Sequence, residues 1–156
     1  MQMLAAENFN ELIELILNFF QRSSGEAATA DEPFRRPEKE APLLLEFTGI
    51  VGVSGKHNGC IYYTASAVML NELAASMLGE SGSDSVSRAG QDLVGEIANV
   101  IGGNAQYILG GGFEISAPII FQGLPRNIRL PIYAPASIVP IHWRSHKSYA
   151  VFGLNP

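Results

Sequence analysis

A single cysteine, Cys60, is the only thiol in this chain. Its isolation excludes an intrachain disulfide and fits a reducing compartment. Cys60 lies in a β-rich run and reads as a small packed residue, not as a nucleophile. Cations are scarce as well: 10 Lys and Arg stand against 15 Asp and Glu, a formal charge of −5. That balance argues against nucleic acid or an anionic membrane as partner, and favours a partner that offers positive charge. No run of about 18 apolar residues occurs, so no membrane-spanning helix is expected. Residues 4–20 are apolar-rich, but Glu7, Asn8, Asn10, Glu11, Glu14 and Asn18 interrupt them, and no basic segment precedes them. No targeting signal is expected there; a cytoplasmic location is.

What remains is an ordinary globular balance, 47% apolar and 16% charged over 156 residues, enough for one well-packed core. A single domain over 1–156 is expected. Leu12, Ile13, Ile16, Phe19 and Phe20 recur at helical spacing within 4–21. Residues 23–42 are rich in small residues, mixed charge and proline, and read as a flexible loop. From Leu43, LLLEFTGIVGVSG and CIYYTAS read as a hairpin, with Lys56-His57-Asn58-Gly59 as its turn. A helix from Ser66 or Ala67 to Met77, stopped by Gly79, follows, and after a polar connector a second runs from about Ser85 to Leu109. Gly110-Gly111-Gly112 ends that helix. Segments 113–122, 128–134, 137–143 and 148–153 read as strands, punctuated by Pro118, Pro125, Pro131, Pro135 and Pro140. Successive strands without intervening helices favour antiparallel pairing, so the fold class is α+β.

The long helix carries the chemistry. Asp92, Glu96 and Asn99 stand at i, i+4 and i+7, which stacks them on a stripe roughly 10 Å long. With Leu93 as zero on a helical wheel, Ile97, Val100, Ile101 and Ile108 fall between about −20° and +80°. Asp92, Glu96 and Asn99 fall between about −60° and −120°, beside the apolar face and open to solvent. Gly103 continues their stripe one turn further on. Interior glycine costs a helix roughly 1 kcal/mol against alanine, so Gly95, Gly102 and Gly103 need reasons. Gly95, Ala98 and Gly102 suit close packing on a sheet. Gly103 leaves bare surface beside Asn99, where a partner's backbone could approach. A merely solvated helix face would show the same polar stripe.

Asp92-xxx-Glu96-xx-Asn99 followed by Gly-Gly-Asn104-Ala resembles the [Asp/Ser]-xxx-Glu-xx-Asn motif of the CheC/CheX/FliY phosphatases of bacterial chemotaxis. GIVGVSGKHNGCIYYTAS is similar to that family's first hairpin, and FEISAPIIFQG to the strand after its catalytic helix. The likeness spans roughly residues 43–143. It implies a CheC-like fold, a mainly antiparallel sheet packed with helices, one of them long and bearing the active-site motif. CheC-type members carry two such sites. Here Glu7-xx-Asn10 has the bare spacing, but Met3 stands where Asp or Ser belongs and no Gly-Asn follows. The first helix therefore reads as packing, and one competent site makes the chain similar to CheX-like members.

The resemblance implies a phosphatase acting on the phosphoaspartate of a CheY-like receiver domain. Asn99 would order the attacking water, as a glutamine does in GTPases. Glu96 would pair with the receiver's lysine. Asp92 and Gly103 would contact the partner, and Asn104 would satisfy backbone near the helix end. No cofactor or metal is expected on this chain, since the receiver brings the divalent metal. A homodimer is implied too. The rival reading is a non-catalytic module of the same fold, binding a receiver or a flagellar-switch component.

Other constellations are weaker. His142 and His146 lie four apart in a strand-and-turn segment with no nearby Cys or carboxylate, a poor metal site. His57 reads as a solvated turn residue. Gly55-Lys56 fails as a phosphate loop, because Ile50 replaces its first glycine and His57 its Ser or Thr. The triple glycine follows a helix instead of opening one, against dinucleotide binding. No serine-centred nucleophile elbow is present.

Overall fold

The computed structural model describes residues 6–36, 42–78, 88–123, 130, 132 and 136–155. Three helices, α1 (Ala6–Ser24), α2 (Ala67–Leu78) and α3 (Arg88–Ile108), pack against a sheet. Its strands are β1 (Ala28–Ala30), β2 (Phe34–Arg36), β3 (Phe47–Gly55), β4 (Asn58–Ala65), β5 (Phe113–Ile115), β6 (Ile119–Gln122), β7 (Ala136–Trp143) and β8 (His146–Asn155). The order is β1-β7-β8-β4-β3-β5, with β2 beside β1 on β7 and β6 beside β5 on β3. Every pairing is antiparallel, as α+β composition requires.

Alternation along the strands gives the sheet two apolar faces. Val51, Val53, Ile61 and Tyr63 join Leu12, Phe20, Leu70 and Ile97 in the core beneath the helices. Ile50, Cys60, Tyr62, Ile138 and Val151 form a smaller cluster on the far face, with Leu43, Leu44 and Ile132 against it. Cys60 is fully buried there, and burial pushes its thiol up to about 12. The Tyr62 and Tyr63 hydroxyls are also pushed up by burial. The thiol is a packing group, as its surroundings in the sequence suggested.

The segment 23–42 departs from the expected loop. It supplies β1 and β2, which line the outer edge of β7 on either side of Pro33. Three-residue edge strands are too short to show a period of two, and prolines beside them mask the signal. Residues 37–41 of that segment lie outside the described residues. Pro140 sits mid-strand in β7, yet breaks nothing. Its carbonyl accepts from the Asp31 amide at 3.1 Å, so its missing N–H faces the same edge, at the gap between β1 and β2. Strand 113–122 is divided into β5 and β6 around Ser116-Ala117-Pro118, where the Ser116 hydroxyl accepts from the Gly52 amide at 2.8 Å. Most of the expected strand 128–134 lies outside the described residues, and Leu130 and Ile132 are not in strand.

α3 lies on β3 at a distance no side chain could share. A Cβ on Gly49 would stand 2.3 Å from the Val94 carbonyl oxygen, and one on Gly102 2.9 Å from Val51 Cγ2. One on Gly95 would stand 2.8 Å from Ile120 Cδ1. At Gly49 the obstacle is backbone and cannot swing aside. Gly49→Ala is therefore expected to cost about 3 kcal/mol, and Gly95→Ala, facing only a side-chain tip, about 1 kcal/mol; urea unfolding of both variants checks the order.

The raised thiol and phenol values set the alkaline limit of stability. Above about pH 9 the unfolded chain releases protons that the folded chain keeps, so stability falls as pH rises from there towards 12. Urea midpoints between about pH 8 and pH 11 should decline, and Cys60→Ala should flatten part of that slope.

Candidate active site on the long helix

Seven residues of α3 are exposed: Arg88, Ala89, Asp92, Glu96, Asn99, Gly103 and Tyr107. Their spacing keeps them on one side of the cylinder. The opposite side buries Leu93, Val94, Gly95, Ile97, Ala98, Ile101, Gly102 and Ala105. The helix thus has one buried face against β3, β4, α1 and α2 and one free polar stripe. Asp92, Glu96, Asn99 and Gly103 all stand on that stripe, where the wheel put them. Among the described residues, the side chains of Asp92, Glu96 and Asn99 have no hydrogen-bond or ion-pair partner. They are held by the helix alone and are free to engage a partner.

Both ends of the helix are fixed. At its start Gly90 lets α2 approach, since a Cβ there would be 2.7 Å from Asn71 Oδ1. At its end the Gly111 amide donates to the Gln106 carbonyl at 2.9 Å and the Gly110 amide to Tyr107 at 3.2 Å, a Schellman closure. Gly110, Gly111 and Gly112 all have positive φ, between +73° and +83°. The hairpin turn after β3 docks on this run. The Lys56 amide donates to the Gly112 carbonyl at 2.9 Å, and the His57 ring meets Phe113 edge-on at 5.4 Å. His57 is thus a packing contact rather than a solvated turn residue. Asn58 is not at positive φ; it bridges back to Gly55 through Oδ1 and Nδ2, and Gly55 and Gly59 take the positive values.

Gly103 and Asn104 separate cleanly. A Cβ on Gly103 would meet nothing within 4 Å. Asn104 Nδ2 donates to the Val100 carbonyl at 2.8 Å, which satisfies backbone near the helix end as its position suggested. Beside the stripe, Leu15 and Phe19 of α1 and Val100 and Asn104 of α3 line a shallow apolar crevice. α1 buries Leu12, Ile16 and Phe20, and Asn10 is exposed; Met3 and the side chain of Glu7 lie outside the described residues.

The histidine pair does have carboxylates nearby, contrary to the sequence reading. His142 Nε2 lies 2.7 Å from Asp31 Oδ2, and His146 Nε2 meets Glu72 Oε2. The partners come from the residue just after β1 and from α2, far away in sequence, so spacing could not reveal them. Arg144 joins the cluster, donating to Glu26 at 2.7 Å and to Ser76 Oγ at 3.0 Å. Glu26 hydrogen-bonding holds the Arg144 guanidinium above its ordinary value, and Arg144 holds the Glu26 carboxyl below its own. These pairs clamp the turn after β7 to the segments just beyond α1 and β1 and to α2. Each histidine has its own single carboxylate, and among the described residues no three ligating groups converge. No described helix is long and apolar enough to cross a membrane.

A long helix laid on an antiparallel sheet is the arrangement of the CheC-like fold. A CheC-like superfamily protein from Shewanella sp. PV-4 superposes with a TM-score of 0.80 at 21% identity, covering 98% of this chain and 100% of that one. The chemotaxis protein CheX from Vibrio vulnificus matches with a TM-score of 0.78 at 22% identity over 96% and 100%. A chain of the CheX–CheY–BeF3–Mg2+ complex from Borrelia burgdorferi matches with 0.76 at 18% over 99% and 100%. No curated protein sequence matches. Residues 47–142 match the family model of the chemotaxis phosphatase CheX, and the chain belongs to that family. The match begins at β3 and takes in the whole of α3.

The bare surface at Gly103 has a measurable consequence. Gly103→Ala has room, and alanine is the better helix former, so this variant should unfold about 0.5–1 kcal/mol harder than wild type. Thermal or urea melts read the sign directly; a destabilised variant would mean that the position is not open.

Proposed function

We propose that this chain hydrolyses the phosphoaspartate of a CheY-like receiver domain in chemotactic or other two-component signalling. The observation that carries the reading is the pair Glu96 and Asn99, exposed, without a side-chain partner among the described residues, and one turn apart on a helix fixed at both ends. Family membership supports it. So does the Borrelia relative, which was captured with CheY, Mg2+ and BeF3. BeF3 is a chemical mimic of a phosphoryl group.

An acyl phosphate is already activated, and the receiver already supplies a metal and a lysine. The chemistry left over is one water placed for in-line attack on phosphorus. As the new P–O bond forms, the bond to the aspartyl oxygen breaks, the carboxylate leaves with the electron pair, and the water's proton passes to the phosphate or to solvent. Asn99 is suited to place that water, because a carboxamide both donates and accepts. It acts by position and not as a base. Glu96 pairs with the receiver's lysine and holds the two surfaces in register. Asp92 adds negative charge towards the same cationic site, and bare Gly103 lets the receiver's backbone come close. None of this requires a metal on the present chain.

The test is decay of a phosphorylated CheY-type receiver with catalytic amounts of protein. Wild type should accelerate decay, and Asn99→Ala should lose about a hundredfold or more of that acceleration, with affinity for the receiver nearly unchanged. Binding without acceleration by wild type would replace this reading with a non-catalytic receiver-binding or flagellar-switch module.

A further inference from the structure

The stripe on α3 does not stop at Gly103. One turn further on stands Tyr107, 85% exposed, the most exposed of the large hydrophobic side chains described. On the wheel it lies at about −40°, between Val100 and Glu96 in angle, so it belongs to the same surface as Glu96, Asn99 and Gly103. Along the axis it lies about 12 Å beyond Asn99. Among the described residues its ring and hydroxyl have no partner, while its backbone carbonyl accepts from the Gly110 amide in the cap. Nothing among the described residues therefore uses this ring. A lone exposed aromatic is unremarkable by itself. Here it ends a stripe that begins at Arg88 and Ala89 and carries two carboxylates, a carboxamide and a glycine between.

Resting on the phosphatase reading above, we propose that Tyr107 is a docking anchor for the receiver, a residue that determines affinity and partner choice without touching the reacting atoms. The geometry leaves a docked receiver little alternative. A specific interface covers about 800 Å² on each partner, a patch roughly 30 Å across. A receiver seated with its phosphoaspartate at Asn99 must reach 12 Å along α3 unless its surface curves away. Bare Gly103, between the two, lets that surface lie close to the helix. Charge divides the footprint. Asp92 and Glu96 face the receiver's metal and lysine, while the glycine-capped end at Tyr107 carries no acid. The matching receiver surface is an apolar patch with one polar group for the phenol, beside the phosphorylated pocket. Tyrosine suits such a place, because it buries large area at small entropic cost and is enriched among binding hot spots.

The experiment uses the full chain and a CheY-type receiver from the same genome, phosphorylated by acetyl phosphate for turnover and loaded with Mg2+ and beryllofluoride for binding. Tyr107→Ala should raise KM and the Kd for the loaded receiver about tenfold, leave kcat within about twofold, and leave the melting temperature unchanged. Tyr107→Phe should recover most of the affinity. Asn99→Ala in the same assay should do the reverse, losing kcat and keeping Kd. Unchanged KM and Kd in Tyr107→Ala, beside a dead Asn99→Ala, would overturn the anchor and spare the phosphatase. A loss confined to kcat would overturn it too, since an anchor acts on affinity. A raised Kd with no turnover by wild type would keep the anchor and sink the phosphatase, and no binding by wild type would sink both.

Discussion

The closeness of α3 to β3 is the constraint on which the rest of this structure depends. At Gly49 a single added carbon would overlap the Val94 carbonyl, and at Gly102 it would overlap Val51. The helix can therefore neither roll nor slide without losing contact along several turns. Glycine inside a helix weakens it locally. The fold offsets that weakness by burying Leu93, Val94, Ile97 and Ile101 against the sheet and the other helices. A helix held so tightly on one side presents the other side in a fixed orientation. Glu96 and Asn99 need no hydrogen bonds of their own to be well placed, because the backbone beneath them is placed.

The same constraint explains how a site can exist without a pocket. Most active sites enclose their substrate in order to desolvate it and to gather catalytic groups. The stripe on α3 is convex and exposed, which suits a substrate that is itself a folded domain with its own cleft. On the proposed phosphatase reading, the missing groups would arrive by insertion of this helix into the partner rather than by entry of a ligand here.

Much of this was legible from the residues, and the reasons divide along physical lines. The stripe on α3 followed from a period of 3.6, which survives because a long helix repeats it over five turns. The β3–β4 hairpin followed from branched and aromatic runs on either side of a polar turn. Gly95 and Gly102 announced a close approach before the surface that they approach was known. The strands β1 and β2 did not show themselves. Three residues at a sheet edge carry no periodicity, and their stability comes from β7, over a hundred residues away. The carboxylates that meet His142 and His146 were invisible for the same reason. The turn beyond β3 was placed by its Asn-Gly pair, yet the positive φ values fall at Gly55 and Gly59, because contact with the Gly112 loop determines the path there.

Electrostatics gives the exposed stripe a second property. In the free protein Asp92 and Glu96 are exposed to water, so their charges cost little. Docking on any partner would strip that water, and an unpaired carboxylate taken into an interface costs several kcal/mol. Only a surface that supplies compensating cations, well aligned, makes the exchange favourable. A receiver loaded with its metal and presenting its lysine would meet that requirement, whereas the same receiver without metal would bring its own acidic residues against these two. On the proposed reading the stripe would oppose unproductive docking through repulsion as much as it favours productive docking through attraction. Asn99, uncharged, is exempt from this penalty and can remain unpaired until a water and a phosphoryl group arrive. That division would account for an amide at the position proposed to hold the water while its neighbours are acids.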